Sequence, residues 1–314
     1  MDKQTSAHGY LTVIHNIGMW AAGVLGLWLL QGVTPPEVER HLAAGAFQKA
    51  LDRLAETDVR DAAWYSAASR AWDGLNDPAK AVRFAENALG LEPGNPIYHA
   101  RLGQIFLARN TPKAAYEIFT EAAALFPDNF VVRLGRGLAA KELQLYEDAE
   151  HELRWCLGNQ PGAPLAFDAL ATIYVQQARF PDAGALAEAF VKANAGDYRG
   201  PYFQAAAREG QQLGDGETLR LVDLSLQRNP RFAAAHALRG KILLKQKKLA
   251  EATASLKAAI AYRPDLVQAH LLLARAYREA GDAAGAAREF EMVRQLKARE
   301  QEPRPSLLYH RGGK

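Results

Sequence analysis

Apolar residues recur at three- and four-residue spacing along most of the chain, in blocks of about 12–14 residues separated by short polar links. Each block predicts an amphipathic helix, and consecutive blocks read as helix–turn–helix pairs. No strand pattern interrupts them. One stretch departs from this rule. From Ile17 to Leu30 (IGMWAAGVLGLWLL) the chain has no charge and no strongly polar side chain.

Widened to Tyr10–Val33, that stretch is broken by Thr12, His15, Asn16 and Gln31. As a helix rising about 1.5 Å per residue it reaches ~36 Å, enough to cross a hydrocarbon core of about 30 Å. Trp20 and Trp28 suit an interface, and Pro35-Pro36 ends the helix because proline donates no backbone hydrogen bond. Residues 1–34 are therefore expected to be an uncleaved membrane anchor, inserted through residues 11–33. The alternatives are a cleaved signal peptide and a buried helix. The start offers only Lys3 beside Asp2, and no Ala-x-Ala follows the apolar run, which is poor material for a signal. Gly18, Ala22 and Gly26 line one face of this helix, a stripe that lets another transmembrane helix approach closely. His15 lies one turn earlier, at headgroup level, with a cofactor ligand as its rival reading.

Beyond the anchor the sequence repeats. Pro93, Pro127 and Pro161 are spaced by 34 residues, and so are Pro230 and Pro264. Ala81, Ala115, Ala149 and Ala183 keep the same spacing, as do Ala252 and Ala286. Two residue types holding one period define units at 62–95, 96–129, 130–163, 164–197, 198–232, 233–266 and 267–300, with a shortened unit at 31–61. Small residues at the eighth position (Ser69, Gly103, Gly137, Ala171, Gly240, Ala274) and alanine at the twentieth let paired helices cross closely. Larger pairs such as Phe106 with Phe119 and Tyr277 with Phe290 are expected to fill the remaining gap. Proline at the thirty-second position ends the second helix, with Ala195 and Ala298 departing.

Together these positions resemble the tetratricopeptide repeat over about residues 36–300. The resemblance implies an all-α, right-handed superhelical solenoid of stacked helix pairs occupying residues 35–300. With the N-terminal transmembrane helix and a basic tail at 301–314, this replaces the two domains that a length of 314 residues suggests.

Composition adds little to fold and more to partners. Apolar residues make up 49% and charged residues 23%, an ordinary folded range. The net charge of +3 is unevenly placed: residues 1–197 carry 17 basic and 23 acidic side chains, and residues 198–314 carry 21 and 12. The basic half lacks interleaved exposed aromatics, so nucleic acid is not expected as a partner.

Catalytic and metal chemistry find no constellation. His99, His236 and His270 all occupy the fourth position of their units, so they fall in different repeats and not in one coordination sphere, and read as structural. His151 sits among Glu147, Glu150 and Glu152 without a second histidine on its helix. Cys156 occupies a small-residue site between helices and reads as a packed thiol, and one cysteine excludes an internal disulfide. The chain is expected to be no enzyme and to bind no metal or cofactor.

In the resembled family the first helix of each unit lines the inner surface. Transferred to this chain, that surface includes Ala63, Ala100, Leu134, Leu138, Lys141, Leu165, Val175 and Leu244, and turns basic at Lys241, Lys245, Arg275 and Arg278. Asparagine is never found at the ninth position, so the family's carboxylate clamp is not expected. The four cations repel one another in a concavity, a cost that Glu279 offsets in part, and would suit an acidic segment. The resulting expectation is a bacterial, single-pass, membrane-tethered scaffold, its solenoid on the extracytoplasmic (periplasmic) side, binding a protein partner. The rival is a periplasmic or secreted solenoid of envelope biogenesis or polymer export.

Overall fold

The computed structural model describes residues 34–301. The anchor at 1–34, with Gly18, Ala22 and Gly26, lies outside the described residues except for Thr34, and so does the tail beyond Gln301. No helix among the described residues is long and apolar enough to cross a membrane.

Sixteen helices and no strand occur among the described residues, in two modules. The first, residues 34–158, contains α1 (Pro36–Ala43), α2 (Phe47–Ala55), α3 (Ala62–Gly74), α4 (Pro78–Leu91), α5 (Pro96–Ala108), α6 (Pro112–Leu125), α7 (Phe130–Glu142) and most of α8 (Tyr146–Asn159). The second runs from residue 159 and contains α9 (Pro164–Gln176), α10 (Phe180–Ala193), α11 (Arg199–Gly210), α12 (Asp215–Arg228), α13 (Ala233–Lys245), α14 (Leu249–Tyr262), α15 (Val267–Glu279) and α16 (Ala283–Gln301).

The chain marks where several of the helices begin. Asp61, Asp77 and Asn129 accept hydrogen bonds from the amides of Trp64, Lys80 and Val132, at 2.8, 3.1 and 3.1 Å. These acceptors satisfy amides that a helix start leaves without an intrahelical partner. Pro78, Pro96, Pro112 and Pro164 open their helices, where a missing N–H costs nothing.

The turn inside each unit repeats more strictly than the sequence does. Gly45, Asn76, Asn110, Gln144, Ala178, Gln212, Lys247 and Gly281 all have positive φ, at intervals of 31, 34, 34, 34, 34, 35 and 34 residues. Each follows a first helix, and in each the next residue toward the second helix bonds back across the turn. For example, the Asp77, Thr111 and Arg179 amides donate to the carbonyls of Trp72, Phe106 and Tyr174 at 2.9, 2.9 and 2.8 Å. This is the Schellman arrangement, which closes a helix through one left-handed residue. The second helix normally starts two residues after that position. In the 198–232 unit it starts three residues after, and Gly214 (φ 61°) absorbs the extra residue.

Six of these eight residues carry a side chain in a region that suits glycine. Ala178→Gly is therefore expected to raise unfolding stability by ~1 kcal/mol, whereas Gly281→Ala lowers it by a similar amount. Chemical denaturation of both variants checks the opposite signs.

Packing follows the small positions. Gly103 lies against the Phe119 ring, where an added Cβ would sit 2.5 Å from Cε2, and Gly135 of the following unit meets the same ring. Phe106, Phe119 and Ala115 are all fully buried in one cluster. Ser69 uses its small-residue position differently, donating from Oγ to the Ala81 carbonyl at 2.8 Å. The pair Tyr277 and Phe290 does not close its gap, since Phe290 is 38% exposed. The other units bury this position: Leu153, Val222 and Leu256 are 0% exposed in theirs. Phe119 is covered partly by the helix of a following unit, and no such unit is described after α16. That helix is also longer than its counterparts, at 19 residues. Ala298 stands where proline would have ended it.

Candidate functional site: the first-helix face

Within each module the first helices of successive units touch one another directly: α1 with α3, α3 with α5 and α5 with α7, then α9 with α11 and α13 with α15. Second helices of adjacent units make no comparable contact. The first-helix side of each module is thus its inner side, and it is the candidate binding surface.

In the first module this surface carries charge that is already neutralised across repeat steps. Arg70 of α3 reaches both carboxylate oxygens of Glu39 on α1, at 2.7 and 2.8 Å. Asp73 accepts from Arg101 at 3.0 Å and from Arg109 at 2.9 Å, and Arg109 also donates to Asn76 at 2.7 Å. Burial pulls the Arg101 guanidinium below its ordinary pKa, and the neighbouring Asp73 opposes that shift. Lys141 bonds to Glu142 at 2.8 Å. Between these pairs lie Ile97, Leu107, Val131, Leu134 and Leu138, half-buried side chains that keep some apolar surface available.

Leu165 and Val175 are half-buried on α9 in the second module, where the basic cluster also lies. Here the cations meet more counter-charge than the Glu279 that the sequence suggests. Lys241 on α13 bonds to Glu209 at 2.7 Å, Lys245 bonds to Asp215 at 3.0 Å, and Arg275 on α15 bonds to Glu279 at 3.0 Å. Glu279 also receives Lys247 at 2.9 Å. Arg278 is exposed on the same helix as Arg275. Hydrogen bonds from Lys245 hold the Asp215 carboxyl, and from Lys247 and Arg275 the Glu279 carboxyl, below the usual range. Glu209 and Asp215 belong to the irregular 198–232 unit, where the repeat register is hardest to read. Their signal was an acidic residue 32 or 30 positions before a lysine, close to one repeat.

Three residues expected on the surface are interior. Ala63 is 8%, Ala100 5% and Leu244 2% exposed. Leu244 packs with Leu256 and Leu273, so the next unit covers it.

The fourth-position histidines have a common partner. His99, His236 and His270 each donate from Nε2 to the carbonyl of Pro93, Pro230 or Pro264, at 2.9, 2.9 and 2.8 Å. Arg133, at the same position of its unit, donates from Nε to the Pro127 carbonyl at 2.6 Å. Each thus ties a first helix to the proline that ended the preceding second helix. His236 and His270 belong to consecutive repeats of the second module and His99 to the first module, and no cluster of metal-ligating side chains occurs among the described residues.

Cys156 is fully buried, and burial pushes its thiol up to about 12. A thiol is unreactive until it ionises. Native protein at pH 8 is expected to resist alkylation at Cys156, and denatured protein to label completely; mass spectrometry of both samples checks this.

Residues 67–130 and 243–304 match family models described as tetratricopeptide repeat. Two curated relatives, Hsc70-interacting proteins 1 and 2 of Drosophila melanogaster, are each 28% identical over 125 residues, 40% of this chain and 32% of theirs. The chain thus spans about a third of the length of those relatives. Among solved structures, a tetratricopeptide repeat protein from Parabacteroides merdae superposes with a TM-score of 0.63 at 17% identity, covering 74% of this chain and 91% of that one. Yeast Tom70 gives 0.60 at 18% identity, covering 94% and 72%. At such identities the structural likeness speaks for the fold alone. Residues 67–130 and 243–304 thus match tetratricopeptide repeats, and the helix pairing and the structural likeness show the same all-helical repeat fold in both modules.

Proposed function

We propose that this protein is a non-enzymatic scaffold that holds a partner protein on the first-helix face of its repeats. The observation that carries the reading is the inner face of residues 34–158. Its charges are paired with one another, while Leu134, Leu138 and Val131 remain half-exposed between them. Such a surface suits an apolar segment, whose burial supplies the favourable free energy of association. Support for a protein partner comes from the curated relatives, which are named for interaction with Hsc70. The finer reading is a membrane-tethered adaptor or accessory subunit. Residues 11–33 form the tether, and the repeats lie outside the cytoplasm. A partner with an acidic segment engages the exposed Arg278, and Lys241, Lys245 and Arg275 by exchanging places with their present carboxylates.

Cross-linking in native membranes, followed by pull-down, identifies the partner. The Leu134→Asp/Leu138→Asp variant is expected to keep its helical content and lose at least tenfold in affinity for it, since two desolvated aliphatic contacts are each worth ~1 kcal/mol or more. Lys241→Glu/Arg275→Glu tests the basic end: salt-dependent weakening supports an acidic segment, and unchanged binding removes it. Intact mass of the purified protein decides whether residues 1–33 are retained. Protease treatment of spheroplasts decides which side the repeats face.

A further inference from the structure

The step from the 198–232 unit to the 233–266 unit is built differently from its neighbours in the second module. The turn residues Gln212 and Lys247 are 35 residues apart instead of 34, and Gly214 (φ 61°) takes up the extra residue before α12. First helices approach closely on either side, α9 to α11 and α13 to α15, but α11 and α13 lack such an approach. Long side chains span the gap instead. Lys241 Nζ on α13 donates to Oε2 of Glu209 on α11 at 2.7 Å. One turn further along, Lys245 Nζ donates to Oδ1 of Asp215 at 3.0 Å, and Gln246 Nε2 lies 3.4 Å from the other carboxylate oxygen.

The opposite side of the same step is packed. Ala205, Leu221, Val222, Ala235 and Ile242 form one buried cluster drawn from α11, α12 and α13. There α12 and α13 approach closely, and His236 ties α13 to the Pro230 carbonyl at 2.9 Å. The step thus has an apolar pivot on one side and solvent-reached ion pairs on the other. Pairs of that kind each contribute little and weaken as salt rises, so the inner edge is the one that gives.

We propose that this step is a hinge clasped by Lys241–Glu209 and Lys245–Asp215, and that an anionic segment releases the clasp. The release rests on the acidic-segment reading above; the clasp does not. Each lysine donor given to an incoming carboxylate competes with a bond that holds two units together. Binding at the basic end therefore spreads α11 from α13 about the α12–α13 core. Reciprocally, an opened step binds the anion more tightly.

Spin labels on Glu188→Cys and Arg288→Cys, both exposed positions of the full-length protein, report the spread; Cys156 is buried and stays unlabelled. In Glu209→Gln/Asp215→Asn the open population is expected to rise about fivefold, for the loss of two exposed pairs. Lys241→Gln/Lys245→Gln should give the same rise from the other side of the gap. The charge exchange Glu209→Lys/Lys241→Glu should keep the wild-type distance, which simple loss of either side chain would not. Raising sodium chloride to about 1 M should open the wild type and leave the neutralised variants unmoved. Poly-L-glutamate, the probe for the release, should open the wild type as well. Wild-type distances in both neutralised variants overturn the hinge, and poly-L-glutamate that binds without opening overturns the release. Absence of poly-L-glutamate binding removes the acidic-segment reading and the release with it, and the neutralised variants then decide the clasp.

Discussion

Gly103→Leu is expected to lower the stability of the 96–129 unit by ~3 kcal/mol, toward the upper end of what overpacking costs. The glycine faces Phe119 so closely that even a methyl group would overlap the ring, at 2.5 Å from Cε2 and 2.6 Å from Cζ. Phe119 cannot retreat toward the following unit, because Gly135 meets it there. Ala115→Leu strikes the same helix crossing from a fully buried position and should behave alike. A Phe119→Ala change combined with Gly103→Leu vacates the space and should recover part of the loss. Thermal unfolding of the single and double variants checks both expectations. Unchanged unfolding in the single variants would contradict the close crossing.

Glu152→Ala should cost as much or more. Glu152 is 2% exposed on α8 and receives Arg136 at 2.9 Å, with Arg133 3.6 Å away. Arg133 lies over the Trp155 ring at 4.4 Å, so it cannot swing into solvent without losing that contact. Removing the carboxylate leaves two half-buried guanidinium groups without their counter-charge. Losing one member of a buried ion pair typically costs ~3–5 kcal/mol. The equivalent position is Ile118 in the preceding unit, so an apolar interior is geometrically possible there. Replacing Glu152, Arg133 and Arg136 together by leucine, methionine and methionine is therefore expected to restore most of the loss. Denaturant unfolding of the single and triple variants separates the ion pair from simple packing.

The repeat was legible because it is written twice, in the prolines that end second helices and in the small residues at helix crossings. Gly103 and Ala115 could be assigned to one crossing from spacing alone. Phe290 could not be placed, because its burial depends on a following unit rather than on its own pattern. Ala298 signalled a missing stop, and α16 runs on through it. Gln144, Ala178, Gln212 and Lys247 were invisible as left-handed turn residues for a plain reason: glutamine, alanine and lysine give no sign of positive φ. The binding surface was only half legible. Lys241 and Lys245 were visible as cations, but their carboxylates lie a full repeat away, in the unit with the extra residue. Charge neutralisation across a helix step is a property of three dimensions that a count along one helix misses.

The polar ties between successive units are also short in sequence. Arg101 reaches back 28 residues to Asp73, Arg109 reaches back 36, and Lys241 reaches back 32 to Glu209. Nothing made early in synthesis has to wait for a distant segment. A nascent chain can therefore lay down each helix pair against the one just completed, at a loop-closure cost that stays level with length. Acquisition of structure should keep pace with translation, with little exposed apolar surface awaiting a partner at any moment.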